Sequence, residues 1–310
     1  MSLLNLLPYR VRVPMQMRAH DSACSPVLAA PPIKAQQDGV VLFSMIGTKV
    51  LLPYLVAVKS LWSQLQRGRV ILLDDGTLTA DDKAVLAQHC DNPEIIAITD
   101  VDNQGFPTGG CWERLLAILD RRDGDYVIQL DSDTVTIGAI DEVRKAIDEG
   151  RSFTLGGDPE SADRGVMKVA DYVAHHVPAK AEADDHIQII MERAMAALQD
   201  AEALHYIRGC AGFAGFAPSK DGRNKARLFV DQYRTLLGAD NLAKWGSEQF
   251  MSNLLIANEP KTPIVLPGRR YINYWGTPWA KDTGFVHFIG THRYSRGAYS
   301  AATRTALAKL

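Results

Sequence analysis

Two carboxylates separated by one residue follow an apolar segment near the middle of the chain. Asp131 and Asp133 come directly after residues 126–130, and a strand-like apolar pattern resumes behind them. Open α/β sheets bind ligands at the carboxyl ends of their strands, and Mg²⁺ and Mn²⁺ prefer oxygen ligands. Two more Asp-x-Asp tripeptides begin at Asp100 and Asp123, but neither has strand-like sequence on both sides. We therefore expect the metal ligands at Asp131 and Asp133.

Two further side chains have the chemistry that such a site needs. Arg114 lies on a predicted helix 17 residues ahead of Asp131, where the crossover can return it to the same sheet edge. A guanidinium binds phosphate in bidentate geometry; the alternative is a surface helix charge. His287 lies among apolar residues in a predicted strand. Its imidazole is a candidate third metal ligand, with a core histidine as the alternative.

The elements that must position these residues alternate between strand and helix from residue 40 to about residue 155. The predicted strands are 40–46, 69–73, 94–98 and 126–130, and helix-like patterns lie between and after them. This alternation is typical of βαβ units in a mainly parallel sheet with helices on both faces. The fold class is therefore predicted to be α/β.

The rest of the chain departs from this alternation. Residues 1–38 have no sustained period and are predicted to be an extended N-terminal arm or linker, with residues 39–292 forming one catalytic domain. Residues 160–206 are predicted to be a helical insertion. The glycine-rich segment 208–216 predicts close approach of the backbone to a ligand or a neighbouring strand. Residues 293–310 form a basic tail that contains four cations and no acidic residue.

Composition narrows the class of protein. The 310-residue chain is 46% hydrophobic, enough for one large domain or two small ones. A net charge of −2 gives no field that would attract nucleic acid. The four cysteines are widely spaced, which argues against a zinc cluster or a disulfide framework and favours a reducing compartment.

Location is inferred from the same sequence. No apolar run reaches the roughly 18 residues of a membrane span, and the N-terminal apolar stretch is too short for a secretory core. We expect a cytoplasmic protein. The basic tail is suited to peripheral contact with an anionic membrane, with a solvated tail as the alternative.

Taken together, the motifs resemble those of the GT-A fold nucleotide-sugar glycosyltransferases. The closest group is the retaining family 8, which includes glycogenin and bacterial lipopolysaccharide galactosyltransferases. The family's Asp-x-Asp motif is matched by Asp131-Ser132-Asp133, and its upstream, donor-contacting arginine is matched by Arg114. The resemblance spans roughly residues 40–295.

Three later segments complete the resemblance. Ala211-Gly212 looks like the family's Ala-Gly segment beside the sugar pocket, and Glu248-Gln249 is a conservative match to its Asp-Gln pair. The segment from His287 through Gly290 to Arg293 is similar to a late His-Phe-x-Gly-x-x-Lys motif. It carries arginine where the family usually has lysine.

The resemblance implies a Rossmann-like sheet flanked by helices, with a helical insertion and a smaller mixed C-terminal part. It also implies Mn²⁺ or Mg²⁺ held by Asp131, Asp133 and His287 against the phosphates of a donor, a UDP-sugar. Ser132, Gly290 and the flanking arginines Arg114 and Arg293 would contact the donor.

The resemblance further assigns the two ends of the donor. Asp75 is the expected partner of the base, helped by Thr48, and Gln249 is nearest the anomeric face with Glu248 beside it. Whether either of the last two acts as a nucleophile stays open, and retention follows from the resemblance alone. A carbohydrate, glycolipid or protein acceptor is expected near residues 160–206 and Trp275–Trp279.

Two alternatives remain at this stage. Asp131-Ser132-Asp133-Thr-Val also satisfies the opening of a haloacid-dehalogenase-like phosphatase, although three strand–helix units precede it here. The altered late motif is also compatible with a catalytically degenerate module that binds nucleotide sugars or glycans.

Overall fold

A twisted central sheet carries the candidate site in this computed structural model, which describes residues 9–182 and 184–310. The strands are β1 (Val40–Ile46), β2 (Arg69–Asp74), β3 (Glu94–Ala97), β4 (Tyr126–Leu130), β5 (Thr134–Thr136), β6 (Phe153–Gly156), β7 (Met167–Lys168), β8 (His205–Tyr206), β9 (Gly209–Phe216), β10 (Ile264–Val265), β11 (Tyr271–Asn273) and β12 (Phe285–His287). Seven of them form the main sheet in the order β10-β6-β9-β4-β1-β2-β3. Only β9 runs antiparallel to its neighbours there. The predicted mainly parallel α/β sheet is confirmed.

Helices cover both faces of this sheet. They are α1 (Tyr9–Cys24), α2 (Leu51–Leu65), α3 (Ala80–His89), α4 (Trp112–Arg121), α5 (Asp141–Glu149), α6 (Ser161–Arg164), α7 (Val169–His176), α8 (Ile187–Ala194), α9 (Asn224–Leu237), α10 (Ala239–Leu242), α11 (Ser247–Ala257) and α12 (Ala298–Leu307). Within the described residues, none of these helices combines the length and the apolar content needed to cross a membrane.

The continuous apolar sequence of β1 explains why both faces need cover. Successive side chains of a strand point to opposite faces. Val40 and Leu42 pack into one core with α2, whereas Val41 and Phe43 pack into the other with α4 and α11. A strand buried on both sides belongs in a parallel sheet with helices on both faces.

A small second sheet, with the order β11-β12-β5, lies at the edge where β4 ends. The antiparallel register of β12 and β5 pairs His287 with Thr134. The backbone N–H of Phe288 also donates to the carbonyl of Asp133, at 2.8 Å. This pairing brings His287 beside the Asp-x-Asp motif although the two are far apart in sequence.

The expected extended arm at residues 1–38 is different in the structure. Its first eight residues lie outside the described part of the chain, but α1 and a following 3₁₀ turn pack on the core. His20 is buried and stacks on Tyr299, with ring centroids 3.6 Å apart. The helix α1 could not be recognised in the sequence, because Pro14 lies inside it and its apolar residues do not form one stripe.

The basic tail and the insertion also differ from the sequence-based expectation. Residues 298–307 of the tail form α12, which buries Tyr299, Ala302 and Ala306 against the core. The insertion consists of three short helices, α6 to α8, and a β7–β8 pair. Gly165, with φ of +67°, ends α6 and prevents one continuous helix.

Candidate active site

A cavity of about 720 Å³ opens where β4 ends and the antiparallel strand β9 begins. Most of the predicted site residues line it: Arg114, Asp131, Asp133, Ala211, Gly212, Glu248, Gln249, His287, Gly290 and Arg293. Its volume is that of a typical small-molecule site. The fold therefore brings side chains from five separate segments to one cavity.

Asp131, Asp133 and His287 form the centre of this cavity. Each offers a ligand atom, and these atoms lie within 4.8 Å of one another. Nε2 of His287 is 3.1 Å from Oδ1 of Asp133, and both side chains are largely buried. Two carboxylate oxygens and one imidazole nitrogen are a donor set that suits Mn²⁺ or Mg²⁺. The residues present therefore fit a divalent ion.

Asn273 orients His287 from behind, and the sequence analysis missed it. The Asn273 amide nitrogen donates to the carbonyls of Gly156 and Gly157, at 2.8 and 3.2 Å. Its oxygen therefore faces Nδ1 of His287, 2.9 Å away, and accepts a hydrogen bond. This bond directs Nε2 toward the carboxylates, as outer partners of metal-binding histidines do. A lone asparagine in a short strand gave no usable sequence signal.

His287 and the charged groups beside it shift one another's pKa values. Burial disfavours the imidazolium, but the Asp133 carboxylate and the Cys210 thiol outweigh it and raise the pKa of His287 well above 6.5. Burial likewise disfavours the Asp133 carboxylate, yet His287 and Arg293 hold its pKa below 3.8. A metal ion would bind His287 as the neutral imidazole.

Arg114 connects the Asp-x-Asp motif to the start of α11. Its guanidinium donates to Oδ1 of Asp131 at 2.6 Å and to Oε2 of Glu248 at 3.2 Å. Burial raises the pKa of Glu248 to about 6, although Arg114 opposes that rise. Arg114 thus lies at the sheet edge beside Asp131, where the sequence predicted it. In this structure its guanidinium pairs with two carboxylates.

Arg293 and Gln249 flank the three candidate ligands. Arg293 pairs with Asp133 and donates through Nε to the carbonyl of Phe288, at 3.0 Å. The Gln249 amide is held at both ends. Its Oε1 accepts from the backbone N–H of Ala211 at 3.1 Å, and its Nε2 donates to Gln188 at 3.0 Å.

The backbone at Gly212 lies directly against the ring of His287. An added Cβ at this position would overlap Cε1 of His287 and lie 2.6 Å from both ring nitrogens. The Gly212 carbonyl also accepts the backbone N–H of Asp131, at 2.9 Å. The predicted close approach of the glycine-rich segment is thus observed, and it is made to the histidine ring.

Three predicted residues do not line the cavity. Thr48 and Asp75 are exposed at the carboxyl ends of β1 and β2, farther along the same sheet edge, where both contact Thr77. Ser132 contributes its carbonyl to the hydroxyl of Tyr299, at 3.1 Å, and so ties the motif loop to α12. Their roles toward a donor stay predictions.

Two tryptophan side chains also belong to the wall of the cavity. Trp275 was expected there and is 43% exposed, whereas Trp245, 73% exposed, was not singled out from the sequence. From the insertion, His186 and Gln188 reach the cavity wall. His186 packs edge-on to Trp245, with ring centroids 5.8 Å apart. This wall has the amphipathic character of a carbohydrate-binding surface.

Comparison with known proteins gives similarity in structure only. No protein-family model matches the chain, and no curated protein matches it in sequence. The structure of galactosyltransferase LgtC in complex with donor and acceptor sugar analogues shares 15% identity. It covers 86% of this chain and 95% of its own, with a TM-score of 0.50.

Two further solved structures score lower. GlyE, a glycosyltransferase of Streptococcus pneumoniae, is 14% identical over 85% of this chain and 60% of its own, with a TM-score of 0.49. Mouse xyloside xylosyltransferase 1 is 12% identical over 81% and 97%, with a TM-score of 0.46. The similarity to the galactosyltransferase shows a shared fold, and the predicted GT-A fold is confirmed.

Proposed function

We propose that this chain is a metal-dependent glycosyltransferase that transfers a sugar from a UDP-sugar to an acceptor with retention of configuration. One observation carries the proposal. Asp131, Asp133 and His287 meet in a single cavity with two arginines, on a fold that this chain shares with a galactosyltransferase. Metal and arginine together match the charge of a diphosphate leaving group.

Bound Mn²⁺ or Mg²⁺ would supply Lewis-acid stabilisation of the diphosphate. Asp131, Asp133 and His287 would hold the ion. Arg293 stands beside Asp133 and Arg114 beside Asp131, so both guanidiniums are near the place where leaving-group charge develops. Donor phosphates would share these two arginines with the carboxylates that pair with them now.

Gln249 and Glu248 would position the sugar instead of attacking it. The Gln249 oxygen already accepts a backbone hydrogen bond, and its nitrogen is held by Gln188. Glu248 is buried in an ion pair with Arg114. Neither group is therefore free to act as a nucleophile, which favours an ion-pair-like transition state held by a preorganised polar wall.

The remaining parts of the proposal follow the sheet edge outward. The nucleoside would extend toward Asp75 and Thr48, and a carbohydrate, glycolipid or protein acceptor would meet Trp245 and Trp275. We also propose a cytoplasmic location with peripheral contact to anionic membranes. The terminal segments support that contact, because α1, α12 and the turn before α12 carry the partly or fully exposed cations Arg10, Arg12, Arg18, Arg296 and Arg304.

The phosphatase alternative is not favoured. In that class the motif follows the first strand of the domain, whereas β4 is the fourth strand here. Its nucleophile would be Asp131, which is instead ion-paired with Arg114. A degenerate binding module remains the competing outcome of the test below.

The test measures hydrolysis of UDP-galactose, UDP-glucose and UDP-N-acetylglucosamine to UDP and free sugar, with water as the acceptor, in Mn²⁺ and in EDTA. We expect release from one donor, only with metal, and its loss in Asp133→Asn. Asp100→Asn is the matched control, because Asp100 belongs to an exposed Asp-x-Asp outside the cavity. Nucleotide-sugar binding without any release would support the degenerate module, and release that is equal in EDTA would refute the metal-dependent mechanism.

A further inference from the structure

A second groove, of about 250 Å³, continues from the wall of the cavity. The two share Asp158, Asn273 and Trp275 in their linings, so the groove begins where the cavity ends. Its walls come from residues 156–162 and 268–280. A ligand longer than one sugar could therefore pass from the metal centre past Trp275 without a break.

Trp275 stands at this junction with its indole partly exposed. It packs edge-on to His292, with ring centroids 6.1 Å apart and planes at 67°. The next residue, Gly276, has φ of +86°, and an added Cβ there would lie 3.1 Å from Nδ1 of His292. This tight turn fixes the indole while leaving a face to solvent, which suits stacking on a sugar ring.

Small residues of the groove lining, Gly156, Gly268 and Ala162, pack closely against one another. An added Cβ on Gly268 would lie 3.1 Å from Cβ of Ala162, and one on Gly156 would lie 3.1 Å from the Ala162 nitrogen. Any larger residue at Ala162 would fill this space.

Charges in the groove leave no strong preference for an ionic ligand. Asp158 pairs with Arg164 at 3.1 Å and also accepts from the backbone N–H of Ser161 at 2.7 Å. Arg269, on the outer wall, pairs with Asp282 at 3.0 Å. The exposed aromatic side chain, the polar walls and this internal neutralisation together favour a neutral, hydroxyl-rich ligand.

We propose that this groove binds the sugars of an oligosaccharide acceptor that lie beyond the reacting sugar, with Trp275 stacking at the junction. The inference rests on the proposed glycosyltransferase function and adds the class of acceptor to it. The main cavity holds the donor and the reacting acceptor sugar, and the groove holds the next ones. Acceptors of at least two sugars are then bound better than monosaccharides.

The experiment compares wild type, Ala162→Phe and Trp275→Ala on a printed array of neutral and acidic glycans of one to six sugars. Asp163→Phe is the matched control, because Asp163 is the exposed neighbour of Ala162 and does not line the groove. Thermal unfolding checks that each variant is folded. UDP release without acceptor is measured in parallel for every variant.

We expect wild type and Asp163→Phe to bind neutral oligosaccharides and to favour them over monosaccharides. Ala162→Phe should lose this preference for length, and Trp275→Ala should bind the same glycans roughly threefold to tenfold more weakly. Equal binding of monosaccharides and oligosaccharides, binding restricted to acidic glycans, an array with no bound glycan, or an unchanged preference in folded Ala162→Phe would each overturn the proposal. Those outcomes with normal UDP release would leave the glycosyltransferase function standing, whereas absent UDP release in wild type would refute that function itself.

Discussion

Replacing Gly212 by alanine should disable the metal centre without touching a ligand. The new methyl group would overlap the ring of His287, which is held from the other side by Asn273. Gly212 lies in β9, whose neighbour β4 leads into Asp131, so the backbone cannot move away without moving that ligand as well. The ring of His287 must therefore shift away from Asp131 and Asp133.

The expected size of the effect follows from the behaviour of displaced ligands. Losing the orientation of a metal-binding histidine typically costs about 10- to 100-fold in affinity. At a Mn²⁺ concentration of about 100 times the wild-type dissociation constant, the ion stabilises wild type by roughly 2.7 kcal/mol. A 100-fold weaker site would be stabilised by only about 0.4 kcal/mol under the same conditions. Electron paramagnetic resonance of free Mn²⁺ gives the affinity, and thermal unfolding gives the stabilisation.

Gly215→Ala is the matched control for this experiment. Gly215 lies on the same strand as Gly212 but away from the metal centre. Its added Cβ would overlap the ring of Phe153 and lie 2.7 Å from the hydroxyl of Tyr126. It should lower stability and leave the Mn²⁺ affinity of the folded protein unchanged. Wild-type affinity in folded Gly212→Ala would refute the proposed geometry of the centre.

Three further predictions test other contacts of the site. Asn273→Leu should weaken Mn²⁺ binding by about 10- to 100-fold, because it frees the ring of His287; an affinity within twofold of wild type would argue against this role. Arg114→Ala should lower the free energy of unfolding by about 3–5 kcal/mol, since it leaves Glu248 buried without its partner; denaturant titration measures this, and adding Glu248→Gln should recover part of the loss. Because the pKa of Glu248 rises from 4.5 unfolded to about 6 folded, the metal-free folded state binds the proton more tightly. Wild type should therefore lose about 2 kcal/mol of stability relative to Glu248→Gln as the pH rises from about 3.5, below the unfolded pKa, to about 7, above the folded pKa; parallel unfolding curves would contradict this.

The parallel half of the fold was predictable because its signals are local. Apolar runs bounded by turn residues identified β1 exactly and β2 and β3 to within one residue. The spacing Thr79-x-x-Asp82 is typical of a capping box at a helix start, and this box is formed at the start of α3. A buried parallel strand is a continuous apolar segment of the sequence, so these strands could be recognised and their ends placed closely.

The terminal helices were not predictable from the same signals. α1 contains Pro14 and only scattered apolar residues, and α12 buries two alanines with one tyrosine and one threonine. Each helix is stabilised by the other, as the stacking of His20 on Tyr299 shows. A pattern that depends on a partner nearly 280 residues away leaves little trace in either segment.

The residues of the site also differ in whether the sequence predicts them. Asp131 and Arg114 could be placed together because each lies on or next to an element with a clear pattern, whereas Glu248 was assigned to the site only through the family resemblance. Asn273 and Trp245 could not, since their importance arises only from the register of short strands and from a loop that folds over the cavity. A residue such as Asn273, which hydrogen-bonds a candidate metal ligand from outside, has no fixed sequence spacing from that ligand, so a single sequence does not reveal it.

The most direct test of the central claim is thermal unfolding with UDP, GDP, CDP and ADP, each in Mn²⁺ and in EDTA. We expect a shift with UDP in Mn²⁺ that disappears in EDTA and in Asp133→Asn, and that persists in Asp100→Asn. A UDP shift of equal size in EDTA, or no shift with any nucleotide, would contradict a metal-bridged diphosphate at Asp131, Asp133 and His287.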